Sequence, residues 1–316
     1  ENSIPEKYFN IKVNIASSEN ANNACIADDY NTFNPYIRKA KKENPKVRDT
    51  MAFYPCVVFI QETDVENATV FKDGQWHFYA CGDIGNSKKN NDTQGMDPEN
   101  HKEVIVEIDN NTDAQTRFLS DDLSQETWDG DHSFEFRYIS KKCTEEETQA
   151  AKNAWQNLLT WVVNADDEEF KAHFEDHFIK DSVLFYYLFT ERHTMVDNRA
   201  KNVFPHTEDL IHWDFCMDYD NDTCQGNDNE GGLTLTYGYE DTDTIGTKSV
   251  FNAADSKLWC KVRDLFADDL QKMYLNRESA LAWSANRILR KIEAYQDVKP
   301  EKLWIMDMRR KYFRTY

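Results

Sequence analysis

The chain has 316 residues, of which 40% are hydrophobic and 13% aromatic, enough to bury a sizeable core. Its 57 acidic against 37 basic side chains leave a formal charge of −20, which disfavours nucleic-acid backbones and anionic membranes and favours cationic partners or divalent metals. Only 10 Gly and 7 Pro argue against a turn-rich all-β protein, while seven scattered Cys without a C-x-x-C argue against a disulfide framework or a structural zinc site and for a reducing compartment.

In chain order, Phe9 to Ile15 alternates apolar and polar with period two and predicts a strand. The polar run Ala16 to Asn23 supplies cap and turn residues before a short helix ending near Tyr30. Asn34-Pro35 and Asn44-Pro45 mark turns, and the basic residues between them, Arg38, Lys39, Lys41 and Lys42, read as a solvated face. Tyr54 to Gln61 and Gln75 to Cys81 read as strands joined through a hairpin loop holding Asp73-Gly74. The segment Gly82 to Lys88 directly follows the second strand, a place where glycines can cradle a phosphate. Val104 to Ile108 and Ser133 to Ile139 complete a β-rich first part.

The composition changes near Ser140. Thr144-x-x-Glu147 is a capping box, and Ala151, Ala154, Trp155, Leu158 and Val162 follow at helical spacing. Asp166-x-x-Glu169 caps a second helix, with Phe170, Phe174 and Phe178 four apart along one face. Asp181 to His193 is apolar nearly all round and belongs in a core. Two more helices are expected, over about 255–274 with Leu258, Val262, Leu265, Phe266 and Met273 inward, and over about 278–295. The longest apolar run, Val183 to Phe189, is too short to span a bilayer, and no signal peptide is visible at Glu1. The expected fold is α+β, a single domain over 1–316 with a β-rich lobe (1–140), a helical lobe (141–316) and a cleft between them.

The stretch 197–232 carries the chemistry. It opens with Asp197-x-x-x-x-Asn202, continues through a strand-like run (Val203 to Pro205) and a polar turn (Thr207-Glu208-Asp209), and returns along Leu210 to Met217 to Asp218-Tyr219-Asp220. A carboxylate to accept a hydroxyl proton, an Asn and Asp to hold magnesium, and a hairpin between them are the parts of a phosphoryl-transfer site. Strand alternation would aim Asp220 to the same side as Asp218. Other readings stand beside this one. The bland reading of Asp197 is a loop residue after a helix. Asp218, Asp220, Asp222 and Asp228 begin like an EF-hand, but Thr223 replaces the sharp-turn Gly and Asn229 the closing Glu, which leaves a different kind of calcium loop. His193, His206 and His212 match no zinc spacing and read as structural. Glu191 with Asp197 is a glycosidase pair only in the sense that two carboxylates are present, and no G-x-S-x-G elbow exists.

At FNIKVNIASSENANN, at Phe134 to Tyr138, at the helix before DNRAKN and at WDFCMDYDNDTCQG, the chain resembles the spore-coat protein H (CotH) kinase family, an atypical branch of the protein-kinase-like fold. ASSENANN, DYDNDT and GGLTLTYGYEDTDT resemble the CotH-type domains of tailed-phage structural proteins. The resemblance implies a two-lobed fold binding Mg2+ and ATP. Asp197 would be the catalytic aspartate, Asn202 and Asp218 magnesium ligands, and Asp220 the second acidic position. The phosphate-pairing lysine would be Lys88 or Lys12. Implied partners are a protein serine or threonine substrate or neighbouring virion proteins, in a phage tail or in the bacterial cytoplasm during assembly. Met217 stands where the family has an aromatic, and its glycine is delayed to Gly226.

Overall fold

In the computed structural model, residues 4, 9–12, 22–51, 53–87, 92–123, 128, 134–225, 251–279, 287 and 290 are described. Strands and helices are both present, so the fold is α+β. The strands form two antiparallel sheets. In the first, β1 (Phe9–Lys12) and β2 (Phe53–Ile60) flank β3 (His77–Asn86). The β2–β3 connection turns at Gly74, whose φ of 67° is the left-handed region that the expected hairpin loop needed glycine to reach. The expected phosphate-cradling turn is not there: Gly82 to Asn86 continue β3, with Ile84 paired to both Ile11 and Tyr54. Hydrogen bonding on both sides holds that backbone extended. Lys88 lies outside the described residues.

The second sheet has the order β5-β4-β6-β7, with β4 at Val104–Ile108, β5 at Phe134–Ile139, β6 at Phe204–Thr207 and β7 at Trp213–Met217. It therefore joins strands from both sides of the composition change at residue 140. The returning strand starts at Trp213 rather than Leu210. Leu210 adopts φ 66°, and the Asp209 carboxylate accepts the Ile211 and His212 N–H groups, each at 2.8 Å, which keeps 210–212 in the turn.

Helices α1 (Asn22–Phe33) and α2 (Lys39–Glu43) lie between β1 and β2. The basic run beside α2 is only partly solvated. Arg38 is fully buried, its Nε 3.2 Å from Asp49 Oδ1, and Lys41 Nζ approaches the other Asp49 oxygen at 2.6 Å. A buried carboxylate needs such partners, and Lys39 and Lys42 stay exposed. Helix α3 (Glu145–Asn164) opens on the expected capping box: Thr144 accepts the Glu147 N–H, and Glu147 accepts that of Thr144. The Phe170, Phe174, Phe178 series is buried but not on one helix. The chain breaks at His173 between α4 (Asp167–Ala172) and α5 (Phe174–His177), and Phe178 bridges to Trp213.

Helix α6 (Lys180–His193) is buried along nearly its whole length, as its all-round apolar pattern predicts. Tyr30, Phe185, Tyr186, Phe189, Phe215 and Trp259 interlock around it with ring centroids 4.8–5.6 Å apart. Each such side chain contributes roughly 1.5–3 kcal/mol of burial. The helix expected over 255–274 is two, α7 (Lys257–Leu265) and α8 (Ala267–Ser279), parted at Phe266, whose ring packs 4.7 Å from that of Phe174. The helix expected over 278–295 falls almost wholly outside the described residues. Among the described helices none is long and apolar enough to cross a membrane.

Candidate functional site

The buried helix delivers Asp197 to a fixed position. α6 stops at Thr194, whose φ of 50° turns the chain, and the Asp197 carbonyl then accepts the N–H groups of Arg199, Ala200 and Lys201 at 2.8, 3.2 and 3.0 Å. The Asp197 side chain is held at 5% exposure by the Asn252 amide. Asn202, also 5% exposed and at φ 58°, ends the turn immediately before Val203, whose backbone bridges Ile108. Because Phe204 pairs with Met217, the residues before 204 and those after 217 leave the hairpin at the same end. A direct bond closes that end: Asn198 Nδ2 donates to the Tyr219 carbonyl at 2.7 Å, while Tyr186 Oη donates to the Asn198 carbonyl at 2.7 Å. The Asp197 turn and the Asp218 segment, distant in sequence, are thus brought together.

Asp218 is 1% exposed. Its N–H donates to the Asp49 carbonyl at 3.3 Å, and its Oδ2 accepts from Asn221 Nδ2 at 2.7 Å. Burial, with Asp220 as a smaller like-charged cause, pushes the carboxyl up to about 7. Asp220 does not follow the strand alternation expected of it. β7 has ended, Asp220 adopts φ 60°, and its half-exposed carboxylate pairs with Lys12 of β1. Lys12 also lies 4.2 Å over the Tyr219 ring. Burial alone would lower the Lys12 pKa, but Asp220 and Tyr219 outweigh it and raise it. Asp222, in the 3₁₀ turn Asn221–Thr223, is pushed up to about 6 by burial, then by Asp220 and, more weakly, Asp197, against Lys12. The start of α1 braces this turn, with Asn23 Oδ1 accepting the Asn221 N–H at 2.7 Å.

The result is a loose acidic knot: Asp197, Asp218, Asp220 and Asp222 are near enough to feel one another's charge and Lys12 pairs with Asp220, but no three of these carboxylates bring ligand oxygens within 4.8 Å of one another. Asn198 Oδ1, Asp218 Oδ1, Asn221 Oδ1 and Thr223 Oγ1 are buried there without a hydrogen-bond partner among the described residues. Buried oxygens without a donor are rare and call for a cause. This donor set, all oxygen and net negative, fits a hard divalent cation. For phosphates the described residues offer Lys12 alone of the two expected lysines.

The other candidates are engaged elsewhere. Glu191 Oε1 is 2.6 Å from buried Arg199, so no glycosidase pair forms with Asp197. His193 Nδ1 meets Gln225 Nε2 at 2.7 Å, and His212 meets Asp209 at 2.6 Å. His206 is clasped between Asp214 at 2.9 Å and Glu103 at 3.2 Å, all three buried. Asp228 and Asn229 lie outside the described residues. Asn23, Asn198, Asn221 and Asn252 were not singled out from sequence, although the Asn-rich runs ASSENANN and DNRAKN carry two of them. No protein-family model matches the chain, and no curated protein matches it.

Proposed function

We propose that the chain is a Mg2+- and ATP-dependent phosphotransferase of the CotH-kinase type, two-lobed, acting on protein serine or threonine. The observation that carries this reading is the convergence of Asp197 with Asp218 through the Asn198–Tyr219 bond, beside buried oxygens that lack donors. Bound Mg2+–ATP would supply the transferable phosphoryl group and the positive charge that balances it. Asp218, with Asn221 bonded to it, Asn198 brought to the neighbouring Tyr219 carbonyl and Asn202 from the turn after Asp197, would hold the cation. Asp197, fixed by its own turn and by Asn252, would accept the proton of the acceptor hydroxyl. Lys12 would turn from Asp220 toward a phosphate. The acceptor would be a protein substrate or, in a phage tail, a neighbouring virion protein.

The test is transfer of label from γ-labelled ATP to the protein itself or to candidate substrates, with magnesium or manganese. Incorporation should occur and drop by about 10²–10⁴-fold in Asp197→Ala, the usual weight of a general base. No incorporation under any condition sinks the reading.

A second reading, a non-catalytic virion component built on the same fold, is favoured by two observations: the glycine segment is spent inside β3, and Asp218 is 1% exposed. That reading predicts thermal stabilisation by calcium alone. The enzyme reading predicts stabilisation by magnesium with ATP.

A further inference from the structure

A second constellation stands apart from the acidic knot, where the turn before β4 meets the start of α3. His101, Cys143 and Glu147 each bring one ligand atom there, and these atoms lie within 4.8 Å of one another. Glu147 Oε1 is 2.9 Å from His101 Nδ1, and Cys143 Sγ lies 3.6 Å from the His101 carbonyl oxygen. We propose that His101 Nδ1, the Cys143 thiolate and Glu147 Oε1 bind one zinc-class divalent cation, with a fourth position open to water.

Three features argue for a ligand set rather than a chance gathering. The donors are one nitrogen, one sulfur and one carboxylate oxygen, the mixture zinc takes, and tetrahedral bonds of about 2.0–2.3 Å place donors about 3.5 Å apart. The observed spread needs only small side-chain movements to reach that. Glu147 is also pre-oriented: its Oε2 accepts the Thr144 N–H at 2.8 Å in the capping box, which leaves Oε1 to the cation. An outer bond of this kind is how proteins aim a metal ligand. Finally, the side chains of His101 and Glu147 are 32% and 41% exposed, so an ion can enter from solvent.

The other His-containing group, Glu103, His206 and Glu208, is a weaker candidate. Both His206 nitrogens already face carboxylates, and no soft donor is present. Sequence spacing could not reveal the His101 site, since His101 and Cys143 are 42 residues apart and no C-x-x-C announces it. On binding, the thiol proton leaves to solvent and sulfur becomes the ligand. The ion would then tie the turn before β4 to the first turn of α3. This inference does not rest on the phosphotransferase reading.

The experiment is a cobalt titration of the metal-free, reduced chain, followed by near-ultraviolet absorption. One equivalent of Co2+ should produce a thiolate-to-cobalt charge-transfer band that zinc bleaches. The oxygen-only knot at Asp218 cannot give such a band, so the two sites separate spectroscopically. Cys143→Ser should abolish the band. Glu147→Gln keeps a side chain able to make the capping box, so its helix start survives, and it should weaken cobalt binding by at least about tenfold, the loss seen even for outer-sphere partners. A folded wild-type chain with no thiolate band at saturating cobalt overturns the proposal. So does a band that persists in Cys143→Ser, or affinity unchanged in Glu147→Gln.

Discussion

At Asp218 a single carboxylate concentrates the balance between burial and charge. With its pKa raised to about 7 against an ordinary value of 3.8, the folded state prefers the protonated acid. Stability from this group is fully present below about pH 4 and is lost as pH rises through about 7. Asp218→Asn removes the charge and keeps the shape. Without divalent cations it should therefore be more stable than the wild type at pH 8, on the order of 1 kcal/mol or a few degrees in Tm. The advantage should shrink to nothing near pH 4. The same variant should lose the stabilisation that magnesium or calcium gives the wild type. A variant that is less stable at pH 8, and still responds fully to the cation, contradicts this account of the site. The buried Glu103 and Asp214 carboxylates instead share the His206 ring, whose two nitrogens lie 3.2 and 2.9 Å from them.

Among the elements, α6 links the core to the site. Its ring of aromatic neighbours fixes Tyr186, and the Tyr186 hydroxyl in turn fixes the Asn198 carbonyl in the turn that carries Asp197. Tyr186→Phe keeps the ring stacking at Trp259 and Phe215 but leaves that carbonyl without its donor. A loss of about 1–2 kcal/mol in urea unfolding is expected, with a smaller cation-induced rise in Tm than in the wild type. Wild-type stability and response together would refute this coupling. The element was legible in sequence, because Val183 to Phe189 reads as a helix buried on every side. What its hydroxyl reaches was not, since a hydrogen bond across a turn depends on where α6 ends and how Thr194 redirects the chain. For the same reason Gly82 to Asn86 misled: local composition allows a turn, but partners on both sides make it strand.

For the whole molecule, the large aromatic cluster lies between the helices and the second sheet, a smaller cluster holds Phe53 of the first sheet with Ile105, Phe204 and Met217 of the second, and the site forms where the two sheets share a boundary. β1 of the first sheet contributes Lys12, and the hairpin of the second contributes Asp218 and Asp220. With four carboxylates gathered there and a formal charge of −20 overall, self-repulsion works against the compact state. Monovalent salt should therefore raise the Tm of the metal-free protein as screening shortens the Debye length below about 10 Å. A bound divalent cation should remove only the share of that gain that comes from the site, since it changes the formal charge only from −20 to −18. A Tm that falls with added salt would mean that attractive pairs such as Lys12–Asp220 outweigh the repulsion.

Periodicity and capping, which are local, were enough to determine that the chain is α+β and to mark the Thr144 capping box and the buried helix, while Asp197 and Asp218 were singled out by the order of motifs along 197–220. Which distant residues meet was decided only by tertiary structure. Lys12 reaches Asp220 through β1–β3 pairing, Asn198 reaches Tyr219, Asn252 holds Asp197, Arg38 is drawn inside by Asp49, and His101 comes to Cys143. Those contacts span long loops, and their partners are selected by sheet register and core packing rather than by any spacing along the chain.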